Sequence, residues 1–143
     1  MTDAREWEFV GAGYFVVSLD QADLGSFSSC EGLGLDFQVE TREAGGGGDD
    51  VHQLHGRVTY NHLTLTRPIS SDSKRLYEWL KRQIQRPTPC SGVIHACRAD
   101  GEVVMSWELN GVVPVRWSGP RFDLESANEA AVETLELAFE GFL

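Results

Sequence analysis

Four histidines and three cysteines are the side chains in this sequence best equipped for chemistry. His52, His55 and His62 are followed by Cys90, His95 and Cys97, a set of soft donors. Zinc sites built from such donors use short paired spacings such as Cys-x2-Cys. No such pairing occurs here, and His52 and His55 have opposite parity, so an extended segment would point them to opposite faces. Surface or interface histidines are the plainer reading, and no metal or other cofactor is expected. Cys90 follows Pro89 and precedes Ser91-Gly92, a loop-like setting for a reactive thiol. Activating it would take a nearby histidine and an oxyanion site, which nothing in the sequence places, and no Gly-x-Ser-x-Gly occurs. Asp49 with Asp50, and Glu133, Glu136 and Glu140, form carboxylate pairs. Glycosidic chemistry needs two carboxyls facing each other across a cleft. Among 22 acids accidental pairs abound, so a solvated face is expected instead. The run Gly45, Gly46, Gly47, Gly48 lacks a following Gly-Lys-Ser/Thr, and the aspartates after it would repel a phosphate. These residues point away from an enzyme.

Charge narrows the partners. Twelve Lys plus Arg against 22 Asp plus Glu leave −10 at pH 7. A nucleic-acid surface needs a basic face, and anionic lipid repels an acidic one, so neither partner is expected. No apolar run approaches the roughly 18–20 residues of a membrane helix. The first eight residues lack an apolar leader core, which predicts synthesis in a cytoplasm. Three cysteines, an odd number, predict free thiols and no disulfide framework. The 143 residues predict one domain over 1–143, large enough to bury its own core.

The elements that position these residues read mostly as strands. Tyr14 to Leu19 is aromatic and β-branched, as strands prefer. Leu24 to Cys30 is a weaker strand, diluted by Gly25 and serines. Leu33, Leu35, Phe37 and Val39 alternate with Gly34, Asp36, Gln38 and Glu40, which predicts an apolar face on the core and a polar face outside. A long loop is expected over about 42–56, centred on the glycine run. Strand pattern resumes to residue 66, with a parity change at Asn61-His62 that predicts a bulge. Pro68 stops it, and Ser71 or Asp72 offers an N-cap. Leu76, Trp79, Leu80 and Ile84 then fall at helical spacing, predicting one amphipathic helix over about 72–86, ended by Pro87 and Pro89. Burying four such side chains is worth roughly 1.5–3 kcal/mol each before entropy costs. Strands return at Val93–Arg98 and Glu102–Leu109 around Asp100-Gly101, a hairpin signal. Val112–Trp117 follows, with Pro114 marking an edge or bulge, then a polar connector over Ser126–Ala130 and a last strand from Glu133. The sum is a mainly β fold, an antiparallel sandwich or barrel of about eight strands with one flanking helix.

Three stretches carry a family resemblance. The first is Phe15-Val-Val-Ser-Leu-Asp20 with Gly25-Ser-Phe27 and Cys30-Glu-Gly-Leu33. The second runs from Glu40-Thr-Arg-Glu43-Ala-Gly-Gly through Leu54-His-Gly-Arg57-Val-Thr-Tyr60 to Leu63-Thr-Leu-Thr-Arg67 and Trp79. The third joins Trp107-Glu-Leu-Asn110, Pro114, Gly119-Pro120 and Asn128 through Gly141. In order and spacing they resemble the inner tube proteins of contractile injection systems, which include contractile phage tails and extracellular phage-tail-like particles. The family often has Leu-Pro-Gly-Arg where this chain has Leu54-His55-Gly56-Arg57, and its glycine run is shorter.

That resemblance implies a structural protein without chemistry. Six subunits close into a ring, and rings stack into a rigid hollow tube that a contracting sheath drives through a target envelope. The implied partners are further copies of the chain, the sheath, the baseplate or spike, a tube initiator and cargo in the lumen. Assembly is implied in a bacterial cytoplasm, within a phage tail or a phage-tail-like particle that stays inside or is released. By the same resemblance the segment from Arg42 to Gly56 is the arm that reaches the neighbouring ring. Its contact candidates are Arg42, Glu43, Gly45, Gly46, Gly47, Gly48, Asp49, Asp50, His52, His55 and Arg57. Asp36, Gln38 and Glu40 are candidates to face the lumen. The alternatives are a tube-initiator subunit, a type VI secretion ring protein, and a small β-barrel ligand-binding protein or cysteine hydrolase.

Overall fold

The computed structural model describes residues 13–43, 51–121 and 131–143. Among them ten strands and one helix follow in chain order. They are β1 (Tyr14–Leu19), β2 (Asp23–Phe27), β3 (Ser29–Glu31), β4 (Leu35–Glu43), β5 (Val51–Tyr60) and β6 (Leu63–Pro68), then α1 (Asp72–Gln85). β7 (Cys90–Cys97), β8 (Val103–Ser118), β9 (Val132–Ala138) and β10 (Gly141–Phe142) complete the order. Eight strands form one antiparallel system in the order β2-β1-β7-β8-β9-β6-β3, with β10 also on β8. β4 and β5 pair only with each other, as a separate two-stranded sheet.

β8 holds the two halves together. Its first part pairs with β7, from Cys97↔Val103 to Cys90↔Val112. Its last part pairs with β9, from Val113↔Ala138 to Ser118↔Thr134. At Leu109 it has β7 on one flank and β10 on the other. β9 and β10 continue one register, so both lie opposite β7. Beyond Val112, therefore, the flank that β7 held carries no strand among the described residues.

The core lies between the halves. Val17, Leu24, Phe27, Ile94 and Leu109 come from one, Leu63, Leu65, Leu135 and Leu137 from the other, and Leu76 and Trp79 enter from α1. Trp79 is fully buried, and its indole N–H donates to Gln21 Oε1 at 3.1 Å.

Several details depart from the sequence reading. Leu24–Cys30 is two strands: β2 and β3 belong to different halves and meet at Ser28. The parity change at Asn61-His62 is a crossing from the hairpin sheet to the main one, with no bulge needed. Glu102–Leu109 and Val112–Trp117 form one strand, because Gly111 at φ +66° bends the backbone without ending it. Pro114 sits at a register shift. Ser71 occupies the N-cap position but its side chain makes no cap bond; Ser70 Oγ accepts from the Asp72 N–H at 3.2 Å instead. Ile84, expected inside, is exposed, and Gln83 is buried in its stead, bonded to Gln21 and Thr88. The connector Ser126–Ala130 lies outside the described residues.

Candidate assembly interface

A small β protein that works by association has to satisfy some sheet edges itself and leave others open. β2 shows the first treatment. Arg67, on the inward parity of β6, donates through Nη1 to the carbonyls of Leu24 and Ser26, the latter at 3.2 Å. Its Nη2 reaches the Asp72 carbonyl at 3.2 Å, and its guanidinium stands 4.2 Å from the Phe27 ring centroid. Its charge is matched by Glu133 on β9, whose Oε2 accepts from Arg67 Nε at 2.8 Å. Glu133 also accepts from Ser73 Oγ and, at 3.0 Å, from Trp117 Nε1. Both members of the pair are buried, at 2% and 1% exposure. Burial alone would push the Glu133 carboxyl up, but the Ser73, Arg67 and Trp117 donors outweigh it and hold it below its ordinary value of 4.5. The solvated face expected for Glu133 is thus corrected: strand parity placed it inward, and four polar partners make that tolerable. From the helix side, Asp72 Oδ2 accepts from the Ser26 N–H at 3.3 Å, while Asp23 Oδ1 accepts from the Gly25 N–H at 3.0 Å. The outer edge of β2 is closed.

The β4–β5 hairpin shows the opposite treatment. Leu35 is half-buried, but Phe37 and Val39 are 60% and 47% exposed, as are Asp36 and Gln38. The expectation that Leu35, Phe37 and Val39 face their own core is corrected, because no layer of this chain covers a two-stranded sheet set apart from the sandwich. A register shift opposite Gln38, where Gly56 and Arg57 add a residue to β5, also breaks the alternation. The assignment of Asp36, Gln38 and Glu40 to a separate polar face therefore loses its premise. The loop expected over 42–56 is mostly strand. Arg42 pairs with His52 and Glu43 with Val51, and His55 lies opposite Val39. Alternating apolar and polar residues can pair along a hairpin that is solvated on both sides. Gly45, Gly46, Gly47, Gly48, Asp49 and Asp50 lie outside the described residues. The hairpin is tied to the sandwich by Tyr60, whose ring lies 5.1 Å from Phe139 and 5.5 Å from Phe142.

A third surface was not visible in the sequence. Where β8 loses β7, its free flank and α1 enclose a groove of about 470 Å³, lined by Tyr77, Leu80, Ile84, Val115 and Trp117, with Lys81 and Arg116 also lining it. The one sequence signal was Ile84, an apolar residue on the helical stripe.

The groups considered for chemistry are dispersed. Cys90 is buried, and burial together with the Asp20 charge raises its thiol to about 11. At neutral pH it is a protonated thiol and a poor nucleophile, against the hydrolase alternative. Cys30 is raised to about 11 by burial and Glu31. His62 pairs with Glu136 at 3.4 Å, and His95 Nδ1 with Ser106 Oγ at 2.6 Å. Among the described residues no cluster of His, Cys, Asp or Glu is placed to hold a metal. No helix among them is long and apolar enough to cross a membrane.

An antiparallel sandwich with one flanking helix, a closed edge and an open hairpin is the architecture of tube-forming subunits. Residues 11–143 match the family of the T4-like virus tail tube protein gp19, and the chain belongs to that family. It is a structural tube protein of the phage-tail and contractile-injection type. Its fold is similar to a chain in the sheath-tube complex of an extracellular contractile injection system (PVC) in the extended state. There 20% of residues are identical, coverage is 100% of this chain and 97% of that one, and the TM-score is 0.72. A chain in the tube-terminating cap of the anti-feeding prophage is 25% identical over 90% of this chain and 85% of that one, with a TM-score of 0.68. One in the sheath/tube terminator of the PVC system is 22% identical over 94% and 93%, with a TM-score of 0.70. No curated protein matches the chain.

Proposed function

We propose that copies of this chain close into six-membered rings that stack as the hollow inner tube of a contractile injection particle. The observation that carries this reading is the uncovered β4–β5 hairpin on a subunit whose β2 edge is sealed, in a chain of the tail tube family. The hairpin is the arm toward the neighbouring ring, with Arg42, Glu43, His52, His55 and Arg57 on its strands. A sheath surrounds the tube, a cap ends it, and a spike and initiator start it. The subunit performs no chemistry, assembles in the bacterial cytoplasm, and folds as one domain. Because each copy carries −10, stacking gathers like charge, and salt screens it over about 8–10 Å. Electron microscopy of the purified protein across a salt series tests the reading. Hollow tubes or rings, more abundant at higher salt, are expected. Monomers at every concentration and salt, together with absence from tubes of the native particle, would overturn it.

A further inference from the structure

We propose that the groove between α1 and the free flank of β8 receives the β4–β5 hairpin of a second copy of this chain, and is the seam between neighbouring subunits. The inference rests on the tube reading above and specifies which surfaces meet.

The groove has an edge for a floor. Residues 113–118 have β9 on one flank and no strand on the other, so their outward backbone groups are available to an added strand. Its walls are apolar. Ile84 is 81% exposed, Tyr77 52%, Val115 45% and Trp117 39%. Large exposed apolar side chains gathered in one concavity mark a contact surface. The second copy's hairpin fits in shape and chemistry. β4 and β5 form a sheet of two, so each has an outer flank without a strand among the described residues. β4 also presents Phe37 and Val39 to solvent. Within one chain, no hairpin residue lines the groove.

Charge selects the same occupant. From Asp72 to Arg86 the chain carries five cations, Lys74, Arg75, Lys81, Arg82 and Arg86, against Asp72 and Glu78. This is a basic stretch in a chain of net −10. β4 carries Asp36, Glu40 and Glu43 against Arg42 alone. A basic-walled groove on one copy and an acidic, apolar-bearing edge on the next are complementary and not self-complementary. Such a pairing is head-to-tail, the kind that closes rings.

Disulfide trapping tests it. Ile84→Cys and Val39→Cys are made as separate variants, mixed, allowed to assemble, and oxidised with copper-phenanthroline in air. The native thiols stay out of the reaction, since Cys90 and Cys97 are buried and burial holds Cys30 and Cys90 up at about 11. The expected product is the mixed dimer, roughly tenfold or more in excess over either homodimer, because docking raises effective concentration. Ile84→Asp, at a position exposed enough to leave folding intact, is expected to raise the concentration needed for assembly about tenfold or more. Rings or tubes that form without the mixed dimer, or that form equally well with Ile84→Asp, overturn the groove and leave the tube reading standing. A cross-link from position 84 to a different protein in intact particles overturns it in favour of a sheath-type partner. Absence of rings from both the pure protein and the native particle overturns both readings together.

Discussion

β2 and the β4–β5 hairpin are both edges, and the chain treats them in opposite ways. On β2 the outward carbonyls of Leu24 and Ser26 accept from a buried arginine, and the Ser26 N–H donates to the first residue of the helix. On the hairpin the outer flanks have no strand beside them among the described residues, and large apolar side chains stand in water. The contrast separates two demands on the sequence. One edge is sealed from within, so that growth there is blocked. The other is left for a neighbour, so folding is finished only by association.

The largest test attacks the seal. Arg67→Met leaves Glu133 buried without its cation and is expected to cost about 3–5 kcal/mol, read as a lowered urea midpoint. Adding Glu133→Leu should recover most of it. If the double variant stays as unstable as the single, packing and not the ion pair closes the edge. Next, Gly25→Ala is expected to cost about 1–3 kcal/mol. Gly25 sits at φ +80°, and a Cβ there would meet the Asp72 carboxyl. A neutral result would show that the helix can retreat from β2.

Acid offers a gentler probe. Glu133 has a folded pKa below its ordinary 4.5, so its contribution is complete above that value and is lost as pH falls through the lower, folded one. Urea midpoints measured from about pH 6 to about pH 3 should drop more steeply in the wild type than in Glu133→Gln. Parallel slopes would remove Glu133 from the seal. Smallest on subunit stability is Val39→Asp on the open hairpin, expected within about 0.5 kcal/mol by denaturation while abolishing rings in electron micrographs. A large loss of stability there would mean that the hairpin belongs to the core after all.

The sequence made some of this legible. Alternation in Leu63, Leu65 and in Leu135, Leu137 marks two inward faces, and these are the strands that pair in the core. Arg67 and Glu133 continue those same inward parities with opposite charge. That was a readable sign of a buried pair, lost because parity and charge were weighed separately. Helical spacing found Leu76 and Trp79, but it promised the same burial to Ile84. Periodicity reports which side of a helix is apolar, not whether the chain itself covers it. For the same reason Phe37 and Val39 were assigned to a core. An apolar face that waits for another molecule has the same pattern as one that packs at home. The two thirds of Leu35–Tyr60 that form paired strands were obscured by glycine and charge, which are compatible with a hairpin solvated on both sides.

β8 has a mechanical consequence. It is sixteen residues long, roughly 50 Å at about 3.3 Å per residue, and it serves both halves of the sandwich. In a sandwich joined only by side chains, a sideways load lets one layer slip over the other. Here slippage would have to bend a continuous backbone, and the place with least resistance is Gly111, the one residue of β8 at positive φ. The subunit therefore behaves as a single stiff member with one designated point of give, a sensible construction for a part that is pushed from behind.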